Sequence, residues 1–105
     1  MTRVCIFGAG AIGGYLGAAL HEAGADVSLV ARGPHLAAIR DNGLGLEKGG
    51  TTTRYRLAAS DKSADLGKQD YVILAIKAHT IPMIIDDLAP LLGPDTAVVS
   101  AVNGL

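Results

Sequence analysis

Three glycines set the chemistry that this chain can do. Gly8-Ala9-Gly10-Ala11-Ile12-Gly13 fits the pattern G-x-G-x-x-G, the spacing of a turn that brings backbone N–H groups against a phosphate. The three glycines have different tasks. The first permits a tight turn, the second lets the backbone approach a pyrophosphate, and the third lets the following helix come close to the sheet. Free N–H groups at the start of that helix, together with the helix dipole, favour an anion. Gly8, Ala9, Gly10, Ala11, Ile12 and Gly13 are therefore candidate cofactor-binding residues.

The second candidate lies some twenty residues further on. A carboxylate near the end of the second strand would grip the ribose 2′-hydroxyl of NAD. This chain has Ala31-Arg32-Gly33 there instead. An acid would repel a 2′-phosphate, whereas the planar fork of Arg32 can pair with one. Asp26 stands at the opposite end of the same strand. The pair of signals points to NADP(H) as the dinucleotide.

Such residues need a scaffold, and the hydrophobic pattern supplies one. Residues 4–7 form a short apolar run that suits a strand buried on both faces. Residues 11–23 follow helical spacing, with Gly24 placed as the C-terminal cap. Residues 26–31 read as a second strand, and residues 35–41 as a short helix with Pro34 in its first turn. Residues 44–47 and 53–58 read as two short strands around Gly49-Gly50, followed by a polar connection with a helical turn over 60–68. Residues 71–76 are a buried strand. A helix is expected from Thr80 to about Ala89, stopped by Gly93 and Pro94, and a last strand over 96–102. Alternating strands and helices predict a Rossmann-type α/β fold, a doubly wound and mostly parallel sheet between two helical layers.

The bulk composition excludes other classes. At 105 residues, half of them hydrophobic, the chain makes one domain with a real core. A net charge of -1, with acids and bases interspersed, gives no reason to expect nucleic acid or an anionic membrane as partner. A single cysteine, Cys5, excludes an internal disulfide and fits a cytoplasmic location. No signal peptide and no apolar stretch of membrane-spanning length is apparent. His21, His35 and His79 form no metal or triad constellation, and each is expected at a surface or helix terminus.

The whole set of motifs resembles the N-terminal domain of the ketopantoate reductase (2-dehydropantoate 2-reductase) family. The matching stretches are Ile6-Phe7-Gly8-Ala9-Gly10-Ala11-Ile12-Gly13-Gly14, Val30-Ala31-Arg32, Leu74-Ala75-Ile76-Lys77-Ala78, Pro90-Leu91-Leu92-Gly93-Pro94-Asp95-Thr96 and Asn103-Gly104. The resemblance implies NADPH-dependent reduction of 2-dehydropantoate to pantoate, on the way to pantothenate. It implies that Lys77 lies beside the nicotinamide end of the cofactor and that Asn103 orients nicotinamide and substrate, which makes both candidate catalytic residues. It also implies a second, helical domain carrying the general acid, and residues 1–105 hold nothing that matches it. The expectation is a cofactor domain of a longer architecture, inactive alone, with an apolar surface that favours self-association. His79 stands close to where many relatives carry glutamine, and Val102 precedes Asn103 where glutamine is usual. A stand-alone NADP(H)-binding module and a reductase of another 2-oxoacid or ketone are the competing readings.

Overall fold

The computed structural model describes residues 2–8, 11–76, 82 and 84–101. Five strands form one all-parallel sheet: Arg3–Phe7 (β1), Asp26–Val30 (β2), Ala58–Ser60 (β5), Gln69–Leu74 (β6) and Leu92–Ser100 (β7). Their order across the sheet is β5-β2-β1-β6-β7. The chain therefore winds outward from β1 in one direction, then returns to β6 on the other side of β1. Between β1 and β6 lies the switch point at which open α/β sheets leave a crevice. The fold is Rossmann-type.

Burial on both faces follows from the alternation of side chains along a strand. Val4, Ile6, Val27 and Leu29 pack with Ala18 of helix Ala11–Glu22 (α1) and with Leu36 and Ile39 of helix Gly33–Asn42 (α2). Cys5, Phe7, Val30, Val72 and Leu74 face the other way. They pack with Ile84 and Leu91 and with Leu88 of the short helix Ile85–Leu88 (α3). Two helical layers thus enclose the sheet, as the sequence pattern predicts. No helix among the described residues is long and apolar enough to cross a membrane.

Three element assignments change. The expected strand over 53–58 is two strands. Thr51–Tyr55 (β4) pairs antiparallel with Leu44–Lys48 (β3) in a separate hairpin, while β5 joins the parallel sheet beside β2. The hairpin is tied back to α1 by the Tyr55 hydroxyl, which donates to the Glu22 carboxylate. It is also held by Leu44, buried in the same core as Val4 and Ile6.

Within the expected helix over 80–89, the described residues show α3 and, from Ala89, a 3-10 turn over Ala89–Leu91, while Ile81 and Met83 lie outside the described residues. Ala89 keeps helical dihedrals, φ -50° and ψ -45°, and Pro90 sits at the start of the 3-10 turn, where its missing N–H costs no helix hydrogen bond. Thr80 lies outside the described residues.

The last strand begins four residues earlier than expected and takes in Gly93 and Pro94. Pairing jumps from Gln69↔Leu92 to Tyr71↔Ala97, so residues 93–96 bulge from the ladder. Thr96 secures the bulge: its Oγ1 accepts from Gly93 N at 2.7 Å and donates to the Gln69 carbonyl at 2.6 Å. β7 is an edge strand, where a proline costs no ladder hydrogen bond.

Candidate cofactor site

β1 ends at Phe7 and α1 begins at Ala11, so the glycine-rich turn spans the C-terminal end of β1 beside the switch point. Gly8 has φ 102°, a conformation that favours glycine. A side chain there would meet Ile76 Cγ2 at 2.7 Å and the Ala75 carbonyl oxygen at 2.8 Å. Gly13 is closer still: a Cβ would overlap the Gly8 carbonyl and press on Ala75 at 3.2 Å. The bend thus folds back on its own helix and on the residues after β6, and only glycine fits at both ends. Gly8 N donates to the Val30 carbonyl at 3.0 Å, which ties the bend to the end of β2. No acidic residue stands in the first turn of α1, so nothing there opposes an anion drawn to the helix start.

Beneath the bend the sheet is dry. Cys5 is fully buried. Burial pushes its thiol up from an ordinary 9.0 to about 11, and the neighbouring Ser28 hydroxyl acts weakly in the opposite sense. The Ser28 Oγ makes no hydrogen bond of ordinary geometry among the described residues. Cys5 is a structural thiol, inert because its thiolate would have to form in an apolar interior.

Arg32 is the residue on which α2 starts. Its backbone is extended, at φ -137° and ψ 158°, and Pro34 follows in the first turn. The Arg32 side chain reaches Asp87 of α3, 55 positions away in the sequence, with Nη2 3.2 Å from Oδ2. Both side chains are open to solvent, at 67% and 49% exposure.

A small cavity of about 170 Å³ joins these parts. Phe7, Gly8, Val30, Ala31, Arg32, His35 and Ile76 line it. The structure therefore brings Gly8 and Arg32, which the sequence separates by 24 positions, to one pocket at the C-terminal edge of the sheet. His35 lines it as well, exposed and in the first turn of α2, the surface and helix-terminal place expected for it. The available signal was spacing: His35 follows Arg32 by three residues, so one helical turn brings it back to the same side. Asp87 carried no such signal. A larger cavity of about 560 Å³ lies between α1, α2 and the β3–β4 hairpin, and Gly8 and Arg32 are not among its lining residues.

Other candidates stand differently. Ala9, Gly10, Lys77 and Asn103 lie outside the described residues, as do His79 and Val102. Ala11 and Ile12 contribute the first residues of α1.

Comparison with known proteins agrees with this architecture. Residues 4–105 match the family described as ketopantoate reductase PanE/ApbA. A 2-dehydropantoate 2-reductase of Mesorhizobium japonicum is 52% identical over 104 residues, a stretch covering 98% of this chain and 32% of that enzyme. The structure of a Ralstonia solanacearum protein assigned as a ketopantoate reductase superposes with a TM-score of 0.93 at 47% identity, covering 100% of this chain and 33% of that one. A D-mandelate dehydrogenase solved with NADH and anilino(oxo)acetate gives 0.89 at 29% identity, over 99% of this chain and 34% of its own. The chain spans about a third of the length of these relatives. With a parallel sheet in Rossmann order, a bend with no room for a side chain at Gly8 or Gly13 and a match over nearly every residue, the chain belongs to the ketopantoate reductase PanE/ApbA family of oxidoreductases.

Proposed function

We propose that this chain is the cofactor-binding part of an NADPH-dependent 2-oxoacid reductase that converts 2-dehydropantoate to pantoate, on the route to pantothenate. One observation carries the cofactor assignment: Gly8 and Arg32 line the same pocket. The bend through Gly8, Ala9, Gly10, Ala11, Ile12 and Gly13 holds the pyrophosphate against backbone N–H groups. Arg32 binds the 2′-phosphate of the adenosine half through charged hydrogen bonds. No carboxylate occupies the end of β2, where a ribose 2′-hydroxyl would need one.

The bound nicotinamide supplies the hydride. Lys77, which follows β6 in the sequence, and Asn103, which follows β7, are assigned to its vicinity by family resemblance. The proton for the carbonyl oxygen is assigned to a lysine in the helical domain of the longer architecture. The relative solved with NADH supports a second reading, in which a related 2-oxoacid reductase takes the unphosphorylated cofactor.

Calorimetric titration of the chain with NADPH and NADH separates the two. NADPH should bind at least about tenfold more tightly, the value of one charged hydrogen bond of roughly 1.5 kcal/mol. Arg32→Gln should bring NADPH down to the level of NADH. Equal affinities in the unmutated chain would defeat the assignment.

A further inference from the structure

We infer that Asp87 sets the strength of 2′-phosphate selection by acting as an internal counter-ion that the phosphate must displace from Arg32. The inference rests on the reading of Arg32 as the 2′-phosphate ligand.

The carboxylate of Asp87 holds one end of the Arg32 guanidinium, Nη2 to Oδ2 at 3.2 Å. Its own backbone is fixed from below. The Ser63 hydroxyl donates to the Asp87 carbonyl, and Ile84, Leu88 and Leu91 around it are buried in the core that contains Phe7 and Val30. Arg32, in contrast, hangs on a long, mostly exposed side chain at the start of α2. The carboxylate is thus the stationary partner and the guanidinium the movable one.

A pair this exposed is weak, and water and salt screen it. A phosphate dianion offers the guanidinium a stronger, bidentate partner. Binding a 2′-phosphorylated ribose therefore exchanges one anion for another at Arg32 and brings two like charges near each other. Both effects lower the affinity for NADPH. Neither acts on NADH, which places a neutral hydroxyl there. Asp87 thus moderates the preference that Arg32 creates.

The test is calorimetric titration of the chain and of its Asp87→Asn, Arg32→Gln and double variants with NADPH, NADH, 2′,5′-ADP and 5′-AMP. Asp87→Asn should tighten NADPH and 2′,5′-ADP by about two- to fivefold, the range of an exposed ion pair, and leave NADH and 5′-AMP unchanged. The gain should shrink when Arg32 is already glutamine. Asp87→Ala should act in the same direction, which guards against an effect peculiar to the amide. If NADPH is preferred through Arg32 but Asp87→Asn leaves its affinity unchanged or weakens it, Asp87 is a bystander or an orienting partner. The inference is then overturned while the NADPH reading stands. If the unmutated chain binds NADPH and NADH alike and Arg32→Gln changes neither, the reading itself falls, and the role of Asp87 with it.

Discussion

The glycine bend and the Arg32 corner face one pocket, yet they are built in opposite ways. At the bend, position is fixed by contact: Gly8 and Gly13 leave no room for one added carbon. At the corner, the Arg32 side chain is held, among the described residues, by an exchangeable ion pair between two exposed side chains. Contact between backbones tolerates no displacement, because interiors are close-packed. An exposed charge pair can rearrange at small cost. On the proposed reading, the part of the pocket assigned to the pyrophosphate is rigid, and the part assigned to telling one dinucleotide from another is adjustable.

Four measurements would sharpen or break that contrast. The largest effect belongs to Gly13→Ala. Its methyl group overlaps the Gly8 carbonyl, so denaturant unfolding should show a loss on the order of 4 kcal/mol. A loss near zero would mean that the bend yields as easily as the corner.

Next comes the dry strand beneath the bend. The folded pKa of Cys5 is raised from 9.0 to about 11, so the unfolded chain releases its proton first as pH rises. The thiol's contribution is fully present below pH 9.0 and is lost as pH climbs to about 11. At about 1.4 kcal/mol per pH unit over that two-unit window, the loss is at most about 3 kcal/mol. Unfolding titrations compared with Cys5→Ala isolate this component; identical pH profiles for the two proteins would contradict it.

Gly24 provides a control for backbone conformation. It too has a positive φ, 97°, but nothing lies within 4 Å of the side chain it lacks. Gly24→Ala should cost about 1 kcal/mol, from conformation alone. Gly8→Ala, with contacts at 2.7 and 2.8 Å, should cost at least about twice as much. Equal losses would show that contact adds nothing at the bend.

The smallest effect is expected at the corner. Arg32→Gln should shift unfolding stability by no more than about 0.5 kcal/mol, while removing the proposed NADPH preference. A large loss of stability would make Arg32 a structural residue and erase the contrast.

Much of this was visible in the linear chain. Residues 4–7 read as a strand because an apolar run bounded by glycines has few other uses. The structure places β1 over Arg3–Phe7. The glycine motif was legible because its spacing lies within six consecutive residues, and the helix that follows shows its own apolar spacing. The outline of β7 was not legible. Gly93 and Pro94 are local stop signals, and their inclusion depends on the edge position of the strand and on the Thr96 bridge to Gln69. The split of residues 53–58 into a hairpin arm and a sheet strand was hidden for a similar reason. Both pieces have strand-like residues, and only the choice between β3 and β2 as partner separates them.

The sequence by itself determined the opening strand–helix–strand–helix order, the glycine motif and the absence of an acid after β2, since each is written in residues a few positions apart. Only the tertiary structure decided that Arg32 meets Asp87 and that Arg32 and His35 join Gly8 in one pocket. Those facts depend on which strands lie side by side and which helix covers them. Such pairings join residues dozens of positions apart, and no local pattern in the chain encodes them.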